Sequence, residues 1–396
     1  MPYISPPVLI TTFPPGLASP VTSRVAAIPR IIRSKNKAKS AFFIIEVFMK
    51  KSLILFLFII IVIISQTACS VKSGLQGEAD PDPVAKEGFF FDTVCTISIY
   101  NMKDMSEEKA GKIIDSAFKE AEKYEKIFSK QTEGTELWQL NHDGRKDVSE
   151  DLFKSIETGI RYGDISGGKF DITMGGVLDL WDFHNSQSPS LPSKSDMDKE
   201  LRTVGYQAIS LTKHEDGSGT VTLGKEGQEV DLGGIAKGYI CDKISQHLKD
   251  KGVKSAIVNL GGNITVIGGK TKDKPFKVGI EKPYSERKEI IGTVDMRNQT
   301  VVTSGIYERY VEVNGNKYHH ILDPATGWPI DTDVSSVTIL SKFGNSMNCD
   351  AMSTTALLLG SEKGLQLVEK TPDMEALFQL KDGTRITTSG FKYEER

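Results

Sequence analysis

The sequence is poor in the residues that build disulfide-rich or zinc-bound scaffolds. It has 4 Cys and 6 His in 396 residues, and Cys69, Cys95, Cys241 and Cys349 form no Cys-x-x-Cys pair. Neither a zinc ribbon nor a full disulfide framework fits that usage, and Cys95, Cys241 and Cys349 read as buried small hydrophobes. No apolar run reaches the ~20 residues of a membrane-spanning helix. A Walker loop, a dinucleotide-type GxGxxG, a nucleophile elbow and a basic stripe are all missing, and the last absence excludes nucleic acid as a partner.

What is present is a globular composition, 39% hydrophobic and 26% charged, with a net charge of −3. That charge averages two unlike pieces. Residues 1–68 carry eight Lys+Arg against one acid, Glu46, for +7, whereas the chain from Cys69 onward has 41 bases against 51 acids, for −10. Seven of the 16 prolines fall before residue 30.

Met49-Lys50-Lys51, twelve unbroken apolar residues from Leu53 to Ile64, and Ser65-Gln66-Thr67-Ala68-Cys69 make a secretory signal. Thr-Ala-Cys-Ser at its end resembles a bacterial lipoprotein signal, with Cys69 as the lipidated residue; Gln66 departs from the Leu usual three places earlier. The protein is therefore expected to be exported and lipid-anchored on the outer face of the cell membrane or its periplasmic side. Residues 1–48 precede a complete signal, so Met49 reads as the start and 1–48 as a non-native leader; a disordered extension is the alternative.

A polar tether is expected over 69–87, and a folded domain over 88–396. Phe89 to Tyr100 alternates like a strand, and residues 106–128 place Ala110, Ile113, Ile114, Ala117, Ala121, Tyr124 and Phe128 at helical spacing. A second helix near 150–166 ends at Gly167-Gly168. Strands joined by Asp216-Gly217-Ser218-Gly219 lead to Asp231-Leu232-Gly233-Gly234, which opens a helix to about Lys251. Ser255 to Leu260 reads as a strand, Val311 to His320 as a hairpin turning at Asn314-Gly315, and 346–370 as two helices split at Gly360. Helices and strands interspersed without strict alternation predict an α+β fold.

Three places carry candidate chemistry. Asp231-Leu232-Gly233-Gly234 sets a carboxylate and two amides at a helix start, where the dipole favours a phosphate, although Gly-Gly also suits an ordinary turn. Asp350 and Thr354 are i and i+4 with Ser353 between them, so three hard oxygens share a helix face and suit Mg²⁺; a helix-start Asp followed by surface hydroxyls is the plainer reading. His319 and His320 alternate across a strand, so the ring in line with Tyr318 and Leu322, that of His320, faces a cleft as a general base while His319 faces solvent; both at the surface is the alternative. Lys169-Phe170-Asp171 adds an aromatic and a carboxylate suited to a planar ligand, with Phe170 in the core as the safer reading.

Taken in order, these segments and several neighbours form one pattern. It comprises Phe128-Ser129 to Asn141, Gly168 to Gly175, Trp181-Asp182-Phe183, Asp231 to Tyr239, Val258 to Asn263, Thr303-Ser304-Gly305 with Tyr307 to Tyr310, His320 to Gly327, and Asp350 to Thr354. The pattern resembles the ApbE family of FAD:protein FMN transferases over about residues 88–385.

The resemblance implies a two-lobed α+β domain with the flavin between its lobes. It implies Mg²⁺-dependent cleavage of FAD at the pyrophosphate, FMN passing to a Thr or Ser hydroxyl of an acceptor protein while AMP leaves. The implied acceptors are subunits of membrane redox pumps and related exported flavoproteins. Asp350 and Thr354 match metal-ligand positions, and Gly234 matches one that supplies a backbone oxygen. Lys169, Phe170, Asp171, Asp231, Lys237 and Ile321 match FAD-contacting positions, and His320 matches the histidine needed for transfer.

Two positions depart from the family pattern. Phe91-Asp92-Thr93 stands where many members have Met-Gly-Thr, and Gln131 where many have Tyr, which leaves Trp138 as a substitute aromatic. The alternatives are an FAD pyrophosphatase, with water in place of the acceptor hydroxyl, and a flavin-binding lipoprotein without chemistry.

Overall fold

A computed structural model describes residues 82–100, 105–183, 190–285 and 289–396. The leader, the signal segment and Cys69 lie outside the described residues.

The chain first builds a hairpin. Strands β1 (Val84–Phe90) and β2 (Thr93–Ile99) pair in antiparallel register, Phe90 opposite Thr93. The two-residue turn between them puts Phe91 and Asp92 at φ 53° and 56°, the pattern of a tight type I′ turn. The tether is thus shorter than expected, because Val84 to Glu87 belong to β1, and the single expected strand is two. Val84 and Lys86 are half covered on one face while Ala85 and Glu87 are exposed on the other, an alternation too polar to mark a strand.

Helix α1 (Glu107–Phe128) starts where the Ser106 hydroxyl accepts from Lys109 N, and buries the apolar stripe that its spacing predicts. Helix α2 (Glu136–Asp143) is capped by Thr135 and closed by Gly144 at φ 70°. Strand β3 (Arg145–Val148) leads to α3 (Glu150–Ile165), which stops at Gly167 and Gly168, both left-handed at φ 63° and 87°. Two short helices follow, α4 (Gly175–Trp181) and α5 (Lys194–Glu200), then β4 (Ser210–Lys213) and β5 (Gly219–Thr222). Helix α6 (Ala236–Asp250) connects to β6 (Ala256–Leu260) and β7 (Asn263–Ile267), which turn at Gly261-Gly262.

The remaining strands are β8 (Phe276–Glu281), β9 (Ile290–Met296), β10 (Gln299–Gly305), β11 (Tyr310–Val313), β12 (Asn316–His319), β13 (Val334–Lys342), β14 (Met374–Leu380), β15 (Arg385–Thr387) and β16 (Glu394–Glu395). Between β13 and β14 runs α7 (Ser346–Glu369), broken at Gly360, where φ 80° and ψ 173° are not helical.

An eight-stranded sheet in the order β1-β2-β6-β7-β10-β13-β14-β15 forms the centre, every pair antiparallel. Alternation along its strands divides the core. Ile267, Val302, Val337, Ile339 and Phe378 turn to the cluster that holds the buried faces of α1, α6 and α7. Their neighbours Val266, Val301, Leu340 and Leu377 turn the other way, onto the small sheet β16-β9-β8. Both faces are covered, and β13 is accordingly buried along its whole length except Lys342.

A third cluster supports the β11–β12 hairpin. Trp181 meets Trp328 edge to face at 5.0 Å and 89°, and Tyr318 packs on Trp181 at 5.5 Å with the planes tilted by 34°. Trp181 Nε1 donates to Gly327 O at 2.8 Å, so the largest ring here also satisfies its polar atom. The fold is α+β, as the mixed periodicity predicts, and Cys95, Cys241 and Cys349 are free and buried.

Candidate active site

Helices α6 and α7 approach closely because Gly238 has no side chain. A Cβ there would meet Ser346 O at 2.3 Å and Asp350 Cβ at 2.8 Å. This crossing sets Asp350, 2% exposed, against the start of α6, where its Oδ2 accepts Gly238 N at 2.9 Å. Its Oδ1 is 3.8 Å from Lys237 Nζ, beyond hydrogen-bond distance, so that oxygen keeps lone pairs free in a buried place.

One turn along α7, Thr354 approaches the backbone of Gly234, where an added Cβ would lie 3.8 Å from Thr354 Oγ1 and 3.1 Å from the Phe170 ring. Thr354 Oγ1 and the Gly234 backbone therefore lie near each other, with Asp350 one turn earlier on α7. Among the described residues no group of three His, Cys, Asp or Glu side chains gathers to hold a metal. A cation here would use few protein ligands, all hard oxygens, which suits Mg²⁺ shared with water and phosphate rather than a soft metal.

Start-site capping of α7 comes from a residue that the sequence reading missed. Asn345 makes no side-chain cap, and instead Asp242 on α6 accepts Ser346 N at 2.9 Å and Met347 N at 3.0 Å. Burial raises the Asp242 pKa to about 6, the two amides opposing that shift. The pairing is non-local, and no sequence spacing announces it.

The Asp231 turn is built differently from expectation. Asp231 Oδ1 accepts Gly233 N at 2.8 Å, so this amide closes its own turn instead of facing a ligand. Lys237 Nζ donates to Gly233 O at 2.9 Å and fixes the turn from the helix side. Asn141 holds the preceding residue in both directions, its side chain bonding Val230 N and Val230 O at 2.9 Å each.

Asp171 is similarly occupied. Its Oδ1 accepts Thr173 N at 2.8 Å and Thr173 Oγ1 at 2.6 Å, and its Oδ2 accepts Tyr206 N at 3.1 Å. The carboxylate organises its loop, and any ligand contact falls to lone pairs these bonds leave. Phe170 and Ile321 are buried in the same apolar cluster. Trp138 lies face-on against His142, with ring centroids 5.0 Å apart and planes 5° apart, so one face of the substitute aromatic is already covered.

His320 ends the β11–β12 hairpin. Its amide and its Nδ1 both lie 3.1 Å from Arg309 O. A carbonyl only accepts, so the neutral ring carries its proton on Nδ1 and presents Nε2 as a lone pair. Burial pushes the His320 pKa down to about 3, with the charges of Arg309 and Lys237 adding to it. That influence of Lys237 ties His320 to the Asp350 end of the site. His319 does not face solvent as expected; it is part-buried, its Nδ1 has no partner, and burial lowers its pKa to about 4.

Lys169 Nζ bonds Asp323 Oδ2 at 2.8 Å, joining the turn after α3 to the turn after His320. Lys169, Phe170, Gly234, Lys237, His320, Asp350 and Thr354 thus come from four separate stretches of chain into one neighbourhood.

Known proteins resemble this chain in sequence and fold. The model of the ApbE family matches residues 91–378. An FAD:protein FMN transferase of Klebsiella pneumoniae is 32% identical over 69% of this chain and 83% of its own length. One of Treponema pallidum is 31% identical over 79% of this chain and 89% of its own. The crystal structure of the ApbE protein of Thermotoga maritima superposes with a TM-score of 0.69 at 28% identity, covering 79% of this chain and 99% of that one. With the family pattern running through its central sheet, its helix crossing and its hairpin, the chain belongs to the ApbE family.

Proposed function

We propose that this protein is an FAD:protein FMN transferase that moves FMN from FAD to a Thr or Ser hydroxyl of an acceptor protein, releasing AMP, with Mg²⁺ at Asp350. The names of the curated relatives support the reaction. The observation that carries it is the pairing of two half-sites: the buried carboxylate of Asp350 with the part-buried Thr354 and Gly234 next to each other on the same helix crossing, and a histidine whose Nε2 is held ready to accept a proton.

Phosphoryl transfer needs positioning and charge neutralisation more than covalent help. Bound Mg²⁺ would neutralise pyrophosphate charge and favour its cleavage. Asp350 and Thr354 would hold it with the Gly234 carbonyl. Lys237 and Lys169, with side chains 24% and 40% exposed, bring positive charge to the mouth of an otherwise acidic body.

The incoming acceptor hydroxyl is a weak nucleophile at its own pKa, so a base within reach is required. His320 accepts that proton at Nε2 while Arg309 O fixes the ring through Nδ1. The anionic pyrophosphate raises the low pKa of His320 on binding, because opposite charge favours the imidazolium. The aromatic cluster of Trp181, Tyr318 and Trp328 keeps the hairpin, and with it the ring, in place.

Export and a lipid anchor at Cys69 complete the reading, supported by the basic, apolar and small-residue order of Met49 to Cys69. The acceptor is then an exported or membrane-bound flavoprotein, such as a redox-pump subunit. The test is to incubate the purified protein with FAD, Mg²⁺ and a candidate acceptor, following AMP release and acceptor mass. FMN on the acceptor supports the transferase; free FMN with AMP means a pyrophosphatase, and intact FAD means a passive flavin binder.

A further inference from the structure

Three hydroxyls form a chain beside the proposed cation position. Ser353 Oγ bonds Asp350 O at 2.9 Å, Ser304 Oγ lies 2.7 Å from Ser353 Oγ, and Ser304 Oγ lies 3.1 Å from Thr354 Oγ1. Ser304 sits on β10, whereas the other two are on α7, with Ser353 fully buried.

Each hydroxyl has one proton, and the chain ends on a carbonyl that can only accept. All three bonds form together in one order alone. Ser353 donates to Asp350 O, so Ser304 must donate to Ser353, and Thr354 must donate to Ser304. The proton of Thr354 is thereby drawn toward β10, and its lone pairs are left on the other side. A hydroxyl ligates a cation through its lone pairs, so this direction decides whether Thr354 can serve as a ligand.

We infer that Ser304 is a positioning residue, which turns the Thr354 hydroxyl so that its lone pairs face the cation site. The inference rests on the transferase reading above and deepens it. Ser304 is not itself a ligand; it acts by accepting the Thr354 proton while its own proton is held by Ser353. Losing this acceptor removes one hydrogen bond of orientation, an effect of about three- to tenfold on cation affinity.

Two variants separate this role from simple packing. Ser304→Ala removes the acceptor, whereas Ser304→Thr keeps a hydroxyl in a strand position that tolerates a β-branched residue. Ser353→Ala leaves Ser304 in place but takes away the acceptor for its proton, so Ser304 then donates to Thr354 and occupies a lone pair.

The experiment titrates Mn²⁺, a hard octahedral substitute for Mg²⁺, into the purified proteins and follows the free-ion signal by electron paramagnetic resonance. In parallel, the Mg²⁺ concentration giving half-maximal AMP release from FAD is measured. The expected result is Mn²⁺ affinity lowered about three- to tenfold in Ser304→Ala and in Ser353→Ala, with Ser304→Thr close to the parent. The half-maximal Mg²⁺ should rise in the same order while metal-free flavin binding, read by fluorescence, does not change. If the parent binds Mn²⁺ and Ser304→Ala binds it equally well, the positioning role is overturned and the metal reading stands. If the parent itself binds no Mn²⁺ and releases AMP without Mg²⁺, the metal reading fails and takes this role with it.

Discussion

Lys169 Nζ and Asp323 Oδ2 lie 2.8 Å apart, a bond that links the turn ending α3 to the turn following the catalytic histidine candidate. The lysine is 40% exposed and the aspartate 16%, so the pair is screened and contributes little to stability. Its value lies in tying these two turns together.

Lys169→Met is accordingly expected to cost under ~1 kcal/mol of stability. The KM for FAD should rise about fivefold, the scale of one lost unit charge near a surface pyrophosphate. Denaturant unfolding and steady-state kinetics on the same preparation check both halves, and an unchanged KM would remove Lys169 from the flavin-binding residues.

Asp350→Ala should lower Mg²⁺-dependent AMP release by about a hundredfold or more, since charge neutralisation of this kind supplies several kcal/mol. It also leaves Gly238 N without an acceptor at a buried helix crossing, at about 1–3 kcal/mol. Assaying across Mg²⁺ concentration distinguishes the two effects, because instability alone does not alter the metal requirement. Full activity in this variant would sink the site assignment.

Gly238→Ala tests the helix crossing without touching a ligand. The new methyl would meet Ser346 O at 2.3 Å and Asp350 Cβ at 2.8 Å. Backbone does not yield as a flexible side chain does, so α6 and α7 must separate, at a cost of about 1–3 kcal/mol. We expect a lower unfolding midpoint together with a raised Mg²⁺ requirement, measured by thermal melts and metal titration. A melt identical to the parent would show that the crossing is looser than its geometry.

Acid should weaken the folded state through the two histidines of the hairpin. His320 and His319 have pKa values pushed down to about 3 and about 4 by burial. The unfolded chain takes up these protons near pH 6.5, whereas the folded chain resists them until far lower. Their contribution is therefore fully present above pH 6.5 and is lost as pH falls toward 3. Asp242 has the opposite sign: raised to about 6, it favours the folded state at low pH and loses that contribution as pH rises through 6. Replacing both histidines with Gln should flatten the fall in unfolding midpoint between pH 6.5 and 4, and an equal fall in parent and variant would contradict the burial of the rings.

Asp242→Ala should destabilise α7 at its first turn by about 1–2 kcal/mol, the usual worth of a lost N-cap. Hydrogen exchange at Ser346 and Met347 would report it directly, with faster exchange confined to that turn as the expected outcome.

The sequence by itself determined the local elements and the candidate donors. Apolar spacing marked the buried stripe of α1, the cap glycines Gly167 and Gly168 marked the end of α3, and Asn314-Gly315 marked the hairpin, since each signal acts within a few residues. The i, i+4 relation of Asp350 and Thr354 needed nothing beyond helix geometry. Where residues far apart in sequence compete for the same atoms, local spacing had no voice.

Only the tertiary structure decided that Gly233 N belongs to the Asp231 turn and that Asp171 is bound by Thr173 and Tyr206. It also decided that His319 is enclosed and that Asp242 caps a helix more than a hundred residues away. Burial and hydrogen-bond ownership depend on which surfaces meet once the sheet has formed, and that is a property of the packed chain rather than of any one segment.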